Sequence, residues 1–190
     1  MKKVYLCFLF LGFLTSCGED PQPKPKGFLA LEYPAHEYEP VNLNCPYSFE
    51  KNTLAQVADA RGANACWLNL EYQLLKGTIF ITYQPVQNNL DSLLRDAQKL
   101  PLQHTIKADV IEGDLYENPR QNTYGMFYEV TGDAASQAQF YLTDSLNHFM
   151  TGSVYFEAQP NYDSILPAAA YLKKDIRHLM ETVSWRSTSN

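Results

Sequence analysis

The chain has 190 residues, 45% of them hydrophobic and 13% aromatic, a composition that excludes an intrinsically disordered protein. Its formal net charge of -6 is spread without a block of like charge, which excludes a nucleic-acid surface and a polybasic membrane patch. Less about sixteen residues of leader, the length fits roughly one domain, and the 13 Tyr and 10 Phe favour strands.

At the N-terminus, Lys2 and Lys3 precede an apolar run from Val4 to Leu14. Eleven apolar residues span about 16 Å as a helix, well short of a bilayer core of about 30 Å, so the run reads as a signal-peptide segment and not a membrane span. Leu14-Thr15-Ser16-Cys17 follows directly, with small residues before the cysteine as a peptidase requires. This pattern resembles the lipobox of bacterial lipoproteins. The resemblance implies that Cys17 receives a diacylglyceryl thioether and, after cleavage, becomes the acylated first residue. Several acyl chains make such anchoring stable where one would not.

Cys7 then leaves with the leader and Cys17 carries lipid, so Cys45 and Cys66 remain, in an oxidising compartment, with one possible bridge. From Gly18 to Gly27, prolines at 21, 23 and 25 favour extended polyproline backbone; at about 3.1 Å per residue this tether spans some 30 Å. The expected division is a signal peptide over 1–16, a lipidated cysteine and tether over 17–27, and a single globular envelope domain over 28–190.

Within the domain, Phe28 to Tyr33 reads as a short strand, and Cys66 to Leu74 and Gly77 to Gln84 as two strands joined around Lys76-Gly77. In the second, Ile79, Ile81 and Tyr83 alternate with Thr78, Phe80 and Thr82. Leu90, Leu93, Leu94, Ala97 and Leu100 fall at helical spacing; Pro101 is expected to break or kink that helix, which can resume towards Ile106. Three strands follow between Asn122 and Phe156, with Tyr124, Met126, Tyr128 and Val130 alternating on the first and Thr131-Gly132-Asp133 as a turn. Their short links imply antiparallel pairing. Over Asn161 to Trp185, Ile165, Ala169, Leu172, Ile176, Leu179 and Val183 form one apolar stripe, with Lys173, Lys174, Asp175, Arg177 and Glu181 mainly off it. The fold class is therefore α+β: an antiparallel sheet packed with a mid-chain helix and a long C-terminal helix. The order of elements resembles a PsbP/Mog1-like sandwich, and a fold analogy carries no function.

Candidate chemistry is sparse. Asp144-Ser145-Leu146-Asn147-His148 holds a carboxylate, a hydroxyl and an imidazole, but it lacks a nucleophile elbow, and a hairpin link explains it as well. No catalytic residue is assigned. His36, His104, His148 and His178 have no ligand-pair spacing, so no metal is expected; Asn161, Asp163 and Ser164 suit a helix cap. The glycines form no phosphate cradle, and no cofactor is expected. Twelve tyrosines beyond the leader exceed what a core readily buries with satisfied hydroxyls, which points to an interface; a well-packed tyrosine-rich sheet explains them equally.

Long blocks carry a wider resemblance: PKPKGFLALEYP (23–34), CPYSFE (45–50), CWLNLEY (66–72), HTIKAD (104–109), the run from Tyr124 to Phe156, PNYDSILP (160–167) and DIRHLMETVSW (175–185). Together they are similar to the gliding motility lipoprotein GldD family of the Bacteroidetes. The resemblance implies a cell-envelope lipoprotein, at the outer membrane, needed for gliding and for the associated type IX protein secretion. Its implied partners are the membrane, through the N-terminal lipid, and envelope proteins of that apparatus; no nucleic acid is among them. Only Cys17 carries over with a defined role. Two functions stand: a non-enzymatic accessory or assembly factor, or an envelope enzyme or small-ligand binder acting on peptidoglycan or polysaccharide. A deep polar pocket would favour the second, a shallow tyrosine-rich face the first.

Overall fold

The computed structural model describes residues 32–60, 66–103, 107–157 and 162–186. Seven strands form one antiparallel sheet in the order β4-β5-β6-β10-β9-β8-β7. They are β4 (Gln56–Asp59), β5 (Leu68–Tyr72), β6 (Gly77–Pro85), β7 (Ala108–Asn118), β8 (Thr123–Gly132), β9 (Ser136–Thr143) and β10 (His148–Phe156). Two small ribbons flank it: β1 (Tyr38–Pro40) with β3 (Glu50–Asn52), and β2 (Tyr47–Ser48) with β11 (Ser184–Trp185). Helix α1 spans Leu90–Leu102 and α2 spans Tyr162–Thr182.

Strand alternation sends the two faces of the sheet to different neighbours. Ile79, Ile81 and Tyr83 of β6, Phe127 of β8, Phe140 and Leu142 of β9, and Met150 and Val154 of β10 face α2 in the main core. The apolar stripe of α2 meets them: Ile165, Ala169, Leu172, Ile176, Leu179 and Val183 are all buried, as their spacing predicts. Each large aliphatic side chain so buried stabilises by roughly 1.5–3 kcal/mol. On the other face Leu93 and Ala97 of α1 cover Tyr141 and Phe149. Strand β9, covered on both sides, is buried at every position. Gly125 of β8 sits where a Cβ would overlap the Tyr141 carbonyl of β9, so only glycine permits this approach.

The expected hairpin forms, with a wider link: a 3-10 turn over Gln73–Leu75 buries Leu75, and Lys76 takes φ 48°. Gly132, at φ 97°, closes the turn after β8, and buried Gln137 donates Nε2 to the Gly132 and Ala134 carbonyls. Pro101 does not break α1. It lies in the last turn, where the helix runs on only to Leu102, and its ring is buried. Any continuation towards Ile106 lies outside the described residues, as does most of the strand expected over Phe28 to Tyr33; Glu32 and Tyr33 themselves are not in a strand. Helix α2 is bonded to the sheet beside its stripe. Lys173 pairs with Glu129 at 2.6 Å, and Arg177 pairs with Asp114 at 2.6 Å while lying over the Phe127 ring at 4.2 Å. Cys45, just before β2, is joined to Cys66, just before β5, by a disulfide with Cα atoms 5.6 Å apart.

Candidate functional site

Three loops converge at one end of the sheet. The β7–β8 turn brings Arg120 and Asn122, the β9–β10 link brings Asp144 and Asn147, and the β11 ribbon brings Trp185 and Arg186 around a cleft of about 470 Å³. Each is held by local bonding. Asn122, at φ 48°, accepts the Trp185 indole N–H on its carbonyl at 3.3 Å. Asp144 Oδ1 accepts the backbone N–H groups of Leu146, Asn147 and His148 at 3.0, 2.8 and 2.8 Å. Burial alone would raise the Asp144 carboxyl, but these three donors and the nearby imidazole outweigh it and hold the group below its ordinary value. Arg186 donates Nη1 to the Leu43 carbonyl at 3.0 Å, and its backbone N–H to Pro46.

His148 forms the floor of the cleft. Its Nδ1 is 2.8 Å from the Tyr83 hydroxyl, its ring stacks on Trp185 with centroids 5.1 Å apart, and Nε2 lies 4.0 Å from Asp144 Oδ2. Burial lowers its pKa from the ordinary value of 6.5 and Asp144 opposes the shift, so the imidazole is held neutral. Ser145 does not join it. The residue takes φ 66°, bonds through its backbone N–H to Thr143 Oγ1, and lines a separate hollow beside α1 with Val86, Leu90 and Asp91. The carboxylate, hydroxyl and imidazole that are adjacent in sequence therefore open onto two different surfaces.

A second cluster lies on the flank of α2, where the β1–β3 ribbon folds over it. Asp175, 4% exposed, accepts the Asn52 amide at 3.1 Å and the Tyr38 hydroxyl at 3.0 Å, with His36 Nε2 at 3.5 Å. The buried Tyr72 hydroxyl is close enough to feel the carboxylate but bonds to nothing in good geometry. Burial raises the Asp175 pKa, and its hydrogen bonds and His36 offset only part of that. Tyr38 stacks on His178 at 3.5 Å between centroids, His36 stacks on Tyr171 at 3.9 Å, and His178 Nε2 meets Glu50 at 2.8 Å. Sequence reasoning set Asp175 mainly off the apolar stripe. The missed signal is its spacing, three residues after Leu172 and four before Leu179, which puts it on the buried ladder.

The remaining expected residues divide plainly. Cys17, the leader, the tether and His104 lie outside the described residues, while Asp163 falls in the first turn of α2. Among the described residues no group of three His, Cys, Asp or Glu side chains could hold a metal ion, and no helix is long and apolar enough to cross a membrane. The tyrosines are not an exposed interface. Tyr47, Tyr72, Tyr83, Tyr141 and Tyr171 are buried, and Tyr155, at 39%, is the exposed one among those whose side chains are described. Hydroxyls find interior partners in Tyr47, on the Cys66 carbonyl at 2.7 Å, and Tyr116, on that of Met180 at 2.9 Å, while that of Tyr72 has none in good geometry. Aromatic area is being spent on the core.

These features define an antiparallel α+β domain, closed by one disulfide, whose polar groups converge on an open cleft at the sheet end. The chain belongs to the gliding motility lipoprotein GldD family, whose family model matches residues 18–185. No curated protein matches it.

Proposed function

We propose that the protein is anchored by an acylated Cys17 to the outer membrane and serves gliding motility and type IX secretion as a non-enzymatic accessory or assembly factor. Its partners on this reading are other envelope proteins of that apparatus. The family supports the lipid anchor and the motility role. What carries the non-enzymatic part is the separation of Ser145 from His148 onto different surfaces, with the Asp144 Oδ1 taken by three backbone amides. Nucleophilic catalysis needs a hydroxyl within hydrogen-bond reach of its base.

The test is made in a gliding strain with Ser145→Ala, His148→Gln, Asp163→Ala and Ser164→Ala introduced singly. Glutamine can still bond to Tyr83 but cannot transfer a proton at neutral pH. Gliding and secretion are expected to persist in each strain where the protein accumulates normally. A normally abundant His148→Gln protein that fails to support gliding would overturn the reading, in favour of an enzyme acting on peptidoglycan or polysaccharide.

A further inference from the structure

The cleft at the sheet end has a charge unlike the rest of the molecule. In a chain of net charge -6, two guanidiniums, Arg120 and Arg186, line one cavity of about 470 Å³. The one carboxylate beside them, Asp144, is ionised, with Oδ1 engaged by three backbone N–H groups and Oδ2 4.0 Å from His148, so the two guanidiniums still leave the cleft an excess of positive charge. The Arg186 guanidinium spends Nη1 on the Leu43 carbonyl, and no carboxylate pairs with either arginine among the described residues. Guanidinium is the side chain best matched to a planar carboxylate, which it can hold through two parallel hydrogen bonds.

The rest of the lining narrows the chemistry. Gln121, Asn122, Asn147 and Ser184 present amides and a hydroxyl, groups that both donate and accept, as the hydroxyls of a sugar do. Trp185, half-buried, adds an indole, its N–H committed to Asn122 and its ring backed by His148. A sugar ring offers aliphatic C–H faces that pack on such a surface while its hydroxyls pair with the amides. The lining is far too polar for a lipid chain. We infer that this cleft binds an acidic saccharide, with the sugar carboxylate on Arg120 and Arg186 and the ring against Trp185. This inference goes beyond the accessory role and does not depend on it: a binding domain can recognise envelope or surface glycan without turning it over.

The experiment is titration calorimetry on the full mature lipoprotein in detergent micelles. The probes are trigalacturonate, N-acetylneuraminate, maltotriose and sodium phosphate. At least one of the two carboxylated sugars is expected to bind, with affinity falling as salt is raised. Arg120→Gln with Arg186→Gln should weaken it by about tenfold or more, the 1.4 kcal/mol scale of one charge-assisted hydrogen bond. Because Arg186 also ties down the Leu43 carbonyl, Asn147→Asp provides a second variant: it adds a repelling carboxylate while leaving the backbone bonds of the link in place. It should weaken binding by a similar factor with an unchanged melting temperature. Failure of both acidic sugars to bind overturns the inference. So does equal binding of maltotriose, indifference to both sets of substitutions, or phosphate competing as well as the sugar, which would leave a bare oxyanion site.

Discussion

Asp175 gives the domain a pH dependence that can be worked out in sign. Its folded pKa lies above the ordinary 3.8, chiefly through burial, so the folded state holds this proton more tightly than the unfolded chain does. Stability from this group is thus fully present below 3.8 and is lost as pH rises through the folded value. Asp175→Asn keeps one acceptor oxygen, which can serve both Tyr38 and Asn52 as Oδ1 does, and abolishes the titration. The melting temperature of the variant, relative to the parent, should therefore climb between about pH 3 and pH 7, measured by thermal unfolding across that range. A constant offset over the range would rule the buried carboxylate out as the source. Asp175 was legible in sequence only as a helix residue. Its partners Tyr38, Asn52 and Tyr72 lie more than one hundred residues upstream, and nothing local announces that the β1–β3 ribbon folds over this flank.

Among elements, those with a strong period were readable. The stripe of α2 and the alternation of β6 follow from spacing, because each buries one face against a wide apolar surface, while β8, β9 and β10 are marked off by the turn residues and short links between them, β9 being buried on both faces. Strand β7 was not readable: Asp109, Glu112, Asp114 and Glu117 interrupt any alternation, as an edge strand with little of its length buried allows. Strands β1 to β4, two to four residues each, are too short to show a period and exist through the chain that packs on them. The bridge between Cys45 and Cys66 ties this short-stranded region to β5 across a separation of 21 residues. On loop-closure entropy, a bridge of that span stabilises by roughly 3 kcal/mol. Alkylation of the mature protein without reductant should leave both cysteines unlabelled, and Cys66→Ser should lower the unfolding free energy by about that amount. Labelling of either thiol before reduction would remove the bridge.

At the scale of the molecule, the question is what holds the domain at a membrane. Neither described helix can cross a bilayer, and the surface carries a net negative charge that anionic lipid would repel. The aromatic side chains that might have dipped into lipid are largely turned inward. On the proposed reading anchoring falls to the N-terminus, where acylation at Cys17 would contribute about 0.8 kcal/mol per buried methylene, so that two or more chains would hold firmly where one would exchange. Cys17→Ala is accordingly expected to abolish incorporation of labelled fatty acid and to move the domain from the membrane pellet to the soluble fraction, with its fold and disulfide unchanged. Should the Cys17→Ala protein still take up the lipid label, Cys17 would not be the acylated residue. Release without loss of gliding would show that the domain works untethered.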